Sequence, residues 1–331
     1  MKLINNSSAR NKILSLFVLL LLLFPSVQAQ KFVIGILPDT QVEVNVKPEM
    51  FMSQMNWLAA KRDSLNMSIV LHVGDIVDFN NVIHYERASK GFEILDDAKV
   101  PYAVCLGNHD TDAVGENTGS AAPGNTNTNL RQTGRFNSYF PVKRFRNQKG
   151  RFEESKSDNA FYTFKAGGLK WLVLSLEFCS RPEPVDWANT IIPKYPKYNV
   201  IILTHSHLNG KGIIDPGNAG YGDLSPQQIY DRMIKKHPNV RFVFSGHTGS
   251  STYRDDIGEQ GNHIYQILQD YQGQDAGGGY IRLLEIDPKA GTIDGKMYSP
   301  YYNITKDDYS KISLTGAQFV GQRHKEHAAG W

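Results

Sequence analysis

Three short motifs in a fixed order carry groups able to hold cations or move protons: Asp39-Thr40-Gln41, Gly74-Asp75 and Gly107-Asn108-His109-Asp110. His205, in Thr204-His205, and His247, in Gly246-His247, follow in the second half of the chain. Carboxylate, carboxamide and imidazole are the donor types that hard and borderline metal ions take. Each group comes directly after a short apolar run, at residues 32–37, 68–73, 102–106, 199–203 and 240–244. Runs of this length, rich in Val, Ile and Phe, read as fully buried strands. Ligands of an open α/β sheet gather beyond the carboxyl ends of its strands. Five such ends would bring these side chains to one rim and make a metal site there.

The elements between the motifs suit that arrangement. Residues 50–66 read as a helix whose apolar face is Met52, Met55, Trp57, Leu58 and Leu65. A second helix is expected over 82–98, so the first three strands are joined by helical crossovers, as parallel pairing requires. Residues 161–164 and 171–178 read as strands around a Gly-Gly turn, and 224–236 as a helix capped by Ser225 ahead of Pro226. A hairpin of 280–286 and 292–298 closes the fold. These patterns alone give an α/β protein with an antiparallel section. Residues 111–133 are rich in Gly, Asn and Thr and leave directly from the third motif. Such a long polar loop is either a substrate cover or a solvated insertion.

The N-terminus reads as an export signal. Lys2, Arg10 and Lys12 precede a twelve-residue apolar run, 13–24, which is shorter than the ~20 residues of a membrane span. Pro25 ends it, and Val27-Gln28-Ala29 fits a cleavage site. Residues 1–29 are therefore expected to be a signal peptide, with the mature chain secreted or periplasmic and left without a stable membrane anchor. The whole chain holds 36 basic and 33 acidic residues, and removing the three basic residues of the signal leaves 33 against 33. That balance gives no electrostatic footprint for nucleic acid and argues against a dedicated nuclease. Cys105 and Cys179 are the only cysteines. Two do not make a disulfide framework, and Cys105 reads as a buried free thiol.

Taken together, the motifs resemble those of the calcineurin-like metallophosphoesterases, from about residue 32 to 300, with Gly107-Asn108-His109-Asp110 the most specific part. The DTQ opening, Leu174-Ser175-Leu176-Glu177-Phe178, the Gly246-His247-Thr248-Gly249 loop and residues 268–272 are similar to a secreted branch of that family. The resemblance implies a four-layer αββα sandwich of two mixed β-sheets flanked by helices, spanning 30–303, with 304–331 as a tail. It implies a phosphoester substrate, monoester or diester, and two metal ions ~3.5–4 Å apart. Asp75 matches the bridging carboxylate, and Asn108, His205 and His247 the remaining ligands of one tightly held ion. The other site keeps Asp39, the shared Asp75 and the Gln41 carbonyl as candidate ligands, but Gln41 and Gly249 stand where histidines are usual. The second ion should then bind more weakly and favour harder cations; Mn, Fe, Zn and Mg all stay open. His109 matches the catalytic histidine, and Asp110 is expected to orient its ring. Asn108 and His109 would also contact substrate. The implied reaction is in-line attack on phosphorus by metal-bound hydroxide.

Other polar groups carry competing readings. Asp270 is either a replacement carboxylate for the second ion or a turn-fixing group. His72 reads as a satisfied core histidine, and His207 as a nonligand on the same strand end as His205. Arg181 suits a phosphate clamp or an ion pair. Tyr265, Tyr271, Tyr298, Tyr301 and Tyr302 suit packing or a sugar platform. The alternative function, favoured by the two missing imidazoles, is a catalytically weak metal-containing binding protein.

Overall fold

Strand β1 (Phe32–Leu37) is buried along its whole length: strands flank both its edges and both faces of its sheet are covered. It pairs in parallel with β2 (Met67–His72), and β2 pairs in parallel with β3 (Tyr102–Val104). On its other edge β1 runs antiparallel to β11 (Ile281–Asp287), which pairs with β12 (Thr292–Ser299). β13 (Ile304–Lys306) and β14 (Ile312–Thr315) both pair with β12. Residues 304–306 and 312–315 are therefore part of this sheet and not of a separate tail. This description comes from a computed structural model and covers residues 30–118, 129–273, 275–306 and 310–322. The expected signal peptide and the middle of loop 111–133 lie outside those residues.

The second sheet has the order β4 (Gln148–Arg151), β5 (Ala160–Ala166), β6 (Leu169–Ser175), β7 (Asn199–Leu203), β8 (Val240–Ser245), β10 (His263–Gln269), β9 (Ser251–Ile257). Its four middle strands, β6, β7, β8 and β10, are parallel, and both flanks are antiparallel. The two sheets stack face to face around Trp171, whose ring lies 5.4 Å from Phe32 and 6.2 Å from Phe242. Ser175 Oγ, fully buried, crosses between the sheets to donate to the Val104 carbonyl at 2.7 Å.

Helices cover both outer faces. α1 (Gln41–Val46), α2 (Pro48–Lys61) and α3 (Val82–Asp97) lie on the first sheet, with Phe51 against Phe92 at 6.3 Å. α4 (Gly134–Tyr139) adds Phe136 and Phe140 to the same core. α5 (Pro182–Ile191) and α6 (Pro226–Arg232) cover the second sheet, burying Val185, Ala188 and Ile229 on Leu174, Ile202 and Val243. The architecture is the expected sandwich of two mixed sheets between helical layers.

The boundaries shift for physical reasons. α2 starts at Pro48, whose fixed φ suits a first helical turn, and it stops at Lys61 rather than running to 66. β3 is shorter than the apolar run 102–106 because Cys105 and Leu106 leave the ladder to carry the third motif. Ser225 does cap α6, in a reciprocal capping box with Gln228, but the helix ends at Arg232 and a 3-10 turn, Ile234–Lys236, follows. Cys105 and Cys179 are buried and free.

Candidate metal centre

The motif residues all sit within a few positions of a strand's carboxyl end. Asp39 and Gln41 follow β1, Asp75 follows β2, and Asn108 to Asp110 follow β3. His205 follows β7 and His247 follows β8, so the second sheet supplies the imidazoles and the first sheet the oxygens. The two sets meet: His205 Nε2 lies 3.1 Å from Asp75 Oδ2 and 4.0 Å from Asp39 Oδ2. Asp75, His205 and His247 each bring a ligand atom within 4.8 Å of the others.

Close approach is possible because glycines precede these residues. A Cβ on Gly107 would collide with Asp75 Oδ1, and one on Gly246 with Asp39 Oδ1. Backbone amides fix the carboxylates: Asp75 Oδ1 accepts from His109 N and Asp39 Oδ2 from His247 N, both at 2.9 Å. His205 is oriented by the 2.8 Å contact of its Nδ1 with the Val73 carbonyl, which leaves Nε2 facing the carboxylates.

Four of the sequence-predicted ligands keep a buried atom with no hydrogen-bond partner: Asp39 Oδ1, Gln41 Oε1, Asn108 Oδ1 and His205 Nε2. Buried polar atoms are normally paired, and leaving one unpaired costs roughly 1–3 kcal/mol. Four of them on residues that follow neighbouring strand ends fit bound cations, which would satisfy them. The electrostatics agree. Burial drives the Asp39 carboxyl well above its usual range, and the neighbouring charges of Asp270 and Asp75 push it further. Burial also opposes ionisation of Asp75, but His205 and His109 hold it well below the usual range. Burial, with His205 beside it, lowers His247 to about 4, which keeps the ring neutral as a metal ligand must be.

His109 sits beside this cluster. Its Nδ1 is 2.7 Å from the Asp78 carbonyl, and its Nε2 is 3.3 Å from Gln41 Nε2. The Asp78 backbone, not Asp110, orients the ring. Asp110 is fully buried and spends both oxygens on backbone amides, Oδ1 on Ile76 at 2.9 Å and Oδ2 on Gly107 at 2.9 Å. It therefore clamps the second motif to the third. Burial first, then the Asp75 charge, raises its pKa to about 7.

The remaining candidates separate cleanly. Asp270 fixes turns, taking the Gly249 amide at 2.6 Å and the Gln272 amide at 3.1 Å, while its charge still reaches Asp39. His72 bonds Thr40 Oγ1 at 2.9 Å and accepts the Gly74 amide at 3.2 Å, a satisfied core histidine. His207 pairs with Gln266 Oε1 at 2.6 Å. Arg181 is held by Glu177 at 2.8 Å and Glu153 at 2.6 Å, so it forms an ion pair. Tyr265 packs on Phe242 and Tyr298 on Trp57, while Tyr301 and Tyr302 pack on each other.

Two features escaped the sequence reading. Phe178 packs on both imidazoles, 5.3 Å from His205 and 4.9 Å from His247. Arg131 fastens the Phe178 and Cys179 carbonyls at 3.0 and 2.6 Å. The segment around Phe178 reads as strand by its apolar pattern, and Arg131 lies in a loop with no periodicity to expose it.

The calcineurin-like phosphoesterase family model matches residues 33–251, two thirds of the chain and every motif residue above. The chain belongs to that family. It is 29% identical over 273 residues to the uncharacterized protein YvnB of Bacillus subtilis (strain 168), covering 80% of this chain and 19% of that protein. The chain thus spans about a fifth of that relative's length. Its fold is similar to purple acid phosphatase PPD1 from yellow lupin (Lupinus luteus) seeds, with TM-score 0.54 and 14% identity over 87% of this chain and 54% of that one. It is also similar to a dimetal phosphatase from Danio rerio, with TM-score 0.53 and 11% identity over 86% of this chain and 98% of that one.

Proposed function

We propose that the chain is an exported, metal-dependent hydrolase of phosphomonoesters or phosphodiesters. The observation that carries this reading is the set of unpartnered buried atoms on Asp39, Gln41, Asn108 and His205, together with the grouping of Asp75, His205 and His247. In this reading Asp75, Asn108, His205 and His247 hold one divalent ion tightly. Asp39 and Gln41, with Asp75 shared, hold a second more weakly. Bound ions supply Lewis-acid neutralisation of phosphoryl charge and lower the pKa of water. The chain supplies the rest. Asn108 and His109 touch the ester, and the Asp78 carbonyl accepts Nδ1–H and so orients the His109 ring, which in its imidazolium form donates the second proton, on Nε2, to the departing oxygen. Phe178 keeps water from one side of the imidazoles. The signal-like residues 1–29 support export.

Metal analysis combined with a panel of phosphomonoesters and phosphodiesters tests the proposal. Bound divalent metal and turnover of a panel member are expected. Gln41 and Gly249, in place of two imidazoles, favour the alternative of a weak binding protein, and metal without turnover would select it.

A further inference from the structure

A second aromatic stands at the edge of the centre. The Tyr221 ring packs edge-on against Phe178 at 4.8 Å and lies 6.3 Å from the His247 ring. It comes from a glycine-rich segment between β7 and α6 that carries none of the family motifs. That segment is nonetheless firmly built. The Tyr221 amide donates to the Asn218 carbonyl at 2.9 Å, Asn218 Nδ2 donates to the Asp223 carbonyl at 3.1 Å, and Asp223 pairs with Arg131 at 2.7 Å. Arg131 is the residue that also secures the Phe178 carbonyl. One cation therefore sets the relative position of both rings.

The ring is half-buried against Ala113, Leu130, Phe178 and Cys179, yet its hydroxyl makes no hydrogen bond among the described residues. Burial, and then the Asp75 charge, raise the pKa of the phenol. A phenol is a hydrogen-bond donor at neutral pH, and this one lies within the electrostatic reach of Asp75. The hydrogen bonds of its segment hold this ring close enough to the His247 imidazole for the hydroxyl to meet an anionic substrate.

We propose that Tyr221 is a substrate-binding residue whose hydroxyl donates a hydrogen bond to a phosphoryl oxygen of the ester. This rests on the hydrolase reading above. A hydrogen bond to a charged group contributes about 1.5–3 kcal/mol, or roughly a ten- to hundredfold change.

The test is Tyr221→Phe in the metal-loaded full chain, with Tyr221→Ala beside it. Three quantities are read: kcat/KM on the ester panel, affinity for inorganic phosphate by calorimetry, and Mn²⁺ content. Tyr221→Phe is expected to lower kcat/KM and phosphate affinity by about ten- to a hundredfold while metal content stays at the wild-type level. Unchanged kcat/KM and phosphate affinity in Tyr221→Phe, with losses only in Tyr221→Ala, would assign the ring to packing and overturn the inference. An inactive wild type overturns the hydrolase reading and this inference together. An active wild type that Tyr221→Phe leaves unchanged overturns this inference alone.

Discussion

Asp39 and His247 are separated by 208 positions in the chain, yet Asp39 Oδ2 accepts the His247 amide at 2.9 Å. The bond ties the turn after β1 to the turn after β8 and so joins the two sheets at the metal centre. It also holds His247 at φ 77°, a left-handed conformation uncommon for residues other than glycine. The imidazole is presented to Asp75 and His205 because the first motif imposes that backbone on the last one. In the proposed two-ion scheme Asp39 therefore shapes the tight ion's site as well as contributing to the weaker one.

Replacing His247 or Asn108 by alanine should remove a ligand of the tight ion without cutting that backbone link. Both variants are expected to lose metal and most turnover. The fall in metal affinity should at least match the roughly 10–100-fold typical of losing a group one layer further out. Metal analysis and steady-state kinetics on the same preparations check this. Full occupancy with normal turnover in either variant would remove that residue from the ligand set.

His109→Ala should separate metal binding from chemistry. The His109 ring is anchored on the Asp78 carbonyl and on Gln41, outside the cluster of Asp75, His205 and His247. Turnover is expected to fall ~10²–10⁴-fold with metal content unchanged. The deficit should shrink for esters of acidic phenols, whose oxygens leave without protonation. A constant deficit along that leaving-group series would make His109 an electrostatic stabiliser instead of a proton donor.

The sequence exposes this centre where side-chain type and strand ends coincide. Asp39, Asp75, Asn108, His205 and His247 each follow an apolar run, so position along the chain predicts position at the rim. It exposes much less where the backbone does the work. Asp110 looks like a partner for its neighbour His109, but in the fold both its oxygens face amides. The orienting group for His109 is a carbonyl, and a carbonyl leaves no trace in residue identity. β9, β13 and β14 alternate or are short and half-exposed, so no continuous apolar run marks them. Tyr221 lies among glycines with no period at all.

His72 gives a pH dependence with a definite sign. Burial, with the nearby His205 charge second, lowers its pKa from 6.5 to about 3 in the folded chain. The unfolded chain takes up a proton near pH 6.5 that the folded chain refuses. The contribution of His72 to stability is therefore complete above 6.5 and is lost as pH falls from 6.5 towards 3, at up to about 1.4 kcal/mol per pH unit. Its bonds to Thr40 and Gly74 hold the first motif against the second, so acid should loosen the site early. Urea unfolding of metal-free wild type and His72→Gln between pH 7 and 4 isolates the effect. Parallel stability curves for the two proteins would contradict it.

The second ion is the most distinctive expectation. Gln41 offers one neutral carbonyl, and Gly249 offers no side chain, so the soft nitrogen donors that hold transition metals well are missing there. Asp270, which accepts the Gly249 amide at 2.6 Å and whose charge reaches Asp39, would partly make up the missing charge in the proposed scheme. Titrating Mn²⁺ into metal-free protein should show one tight and one weaker ion, with the weaker one further weakened in Asp270→Asn. Gln41→His combined with Gly249→His should tighten it. A Cβ added at Gly249 meets no atom within 4 Å, but φ there is +65°. The double variant should therefore lose roughly 1–2 kcal/mol of stability to the left-handed backbone while gaining second-ion affinity. Two equally tight ions in the wild type would refute this ordering and would make Asp270 itself a ligand, which the loss of one ion in Asp270→Asn would then show.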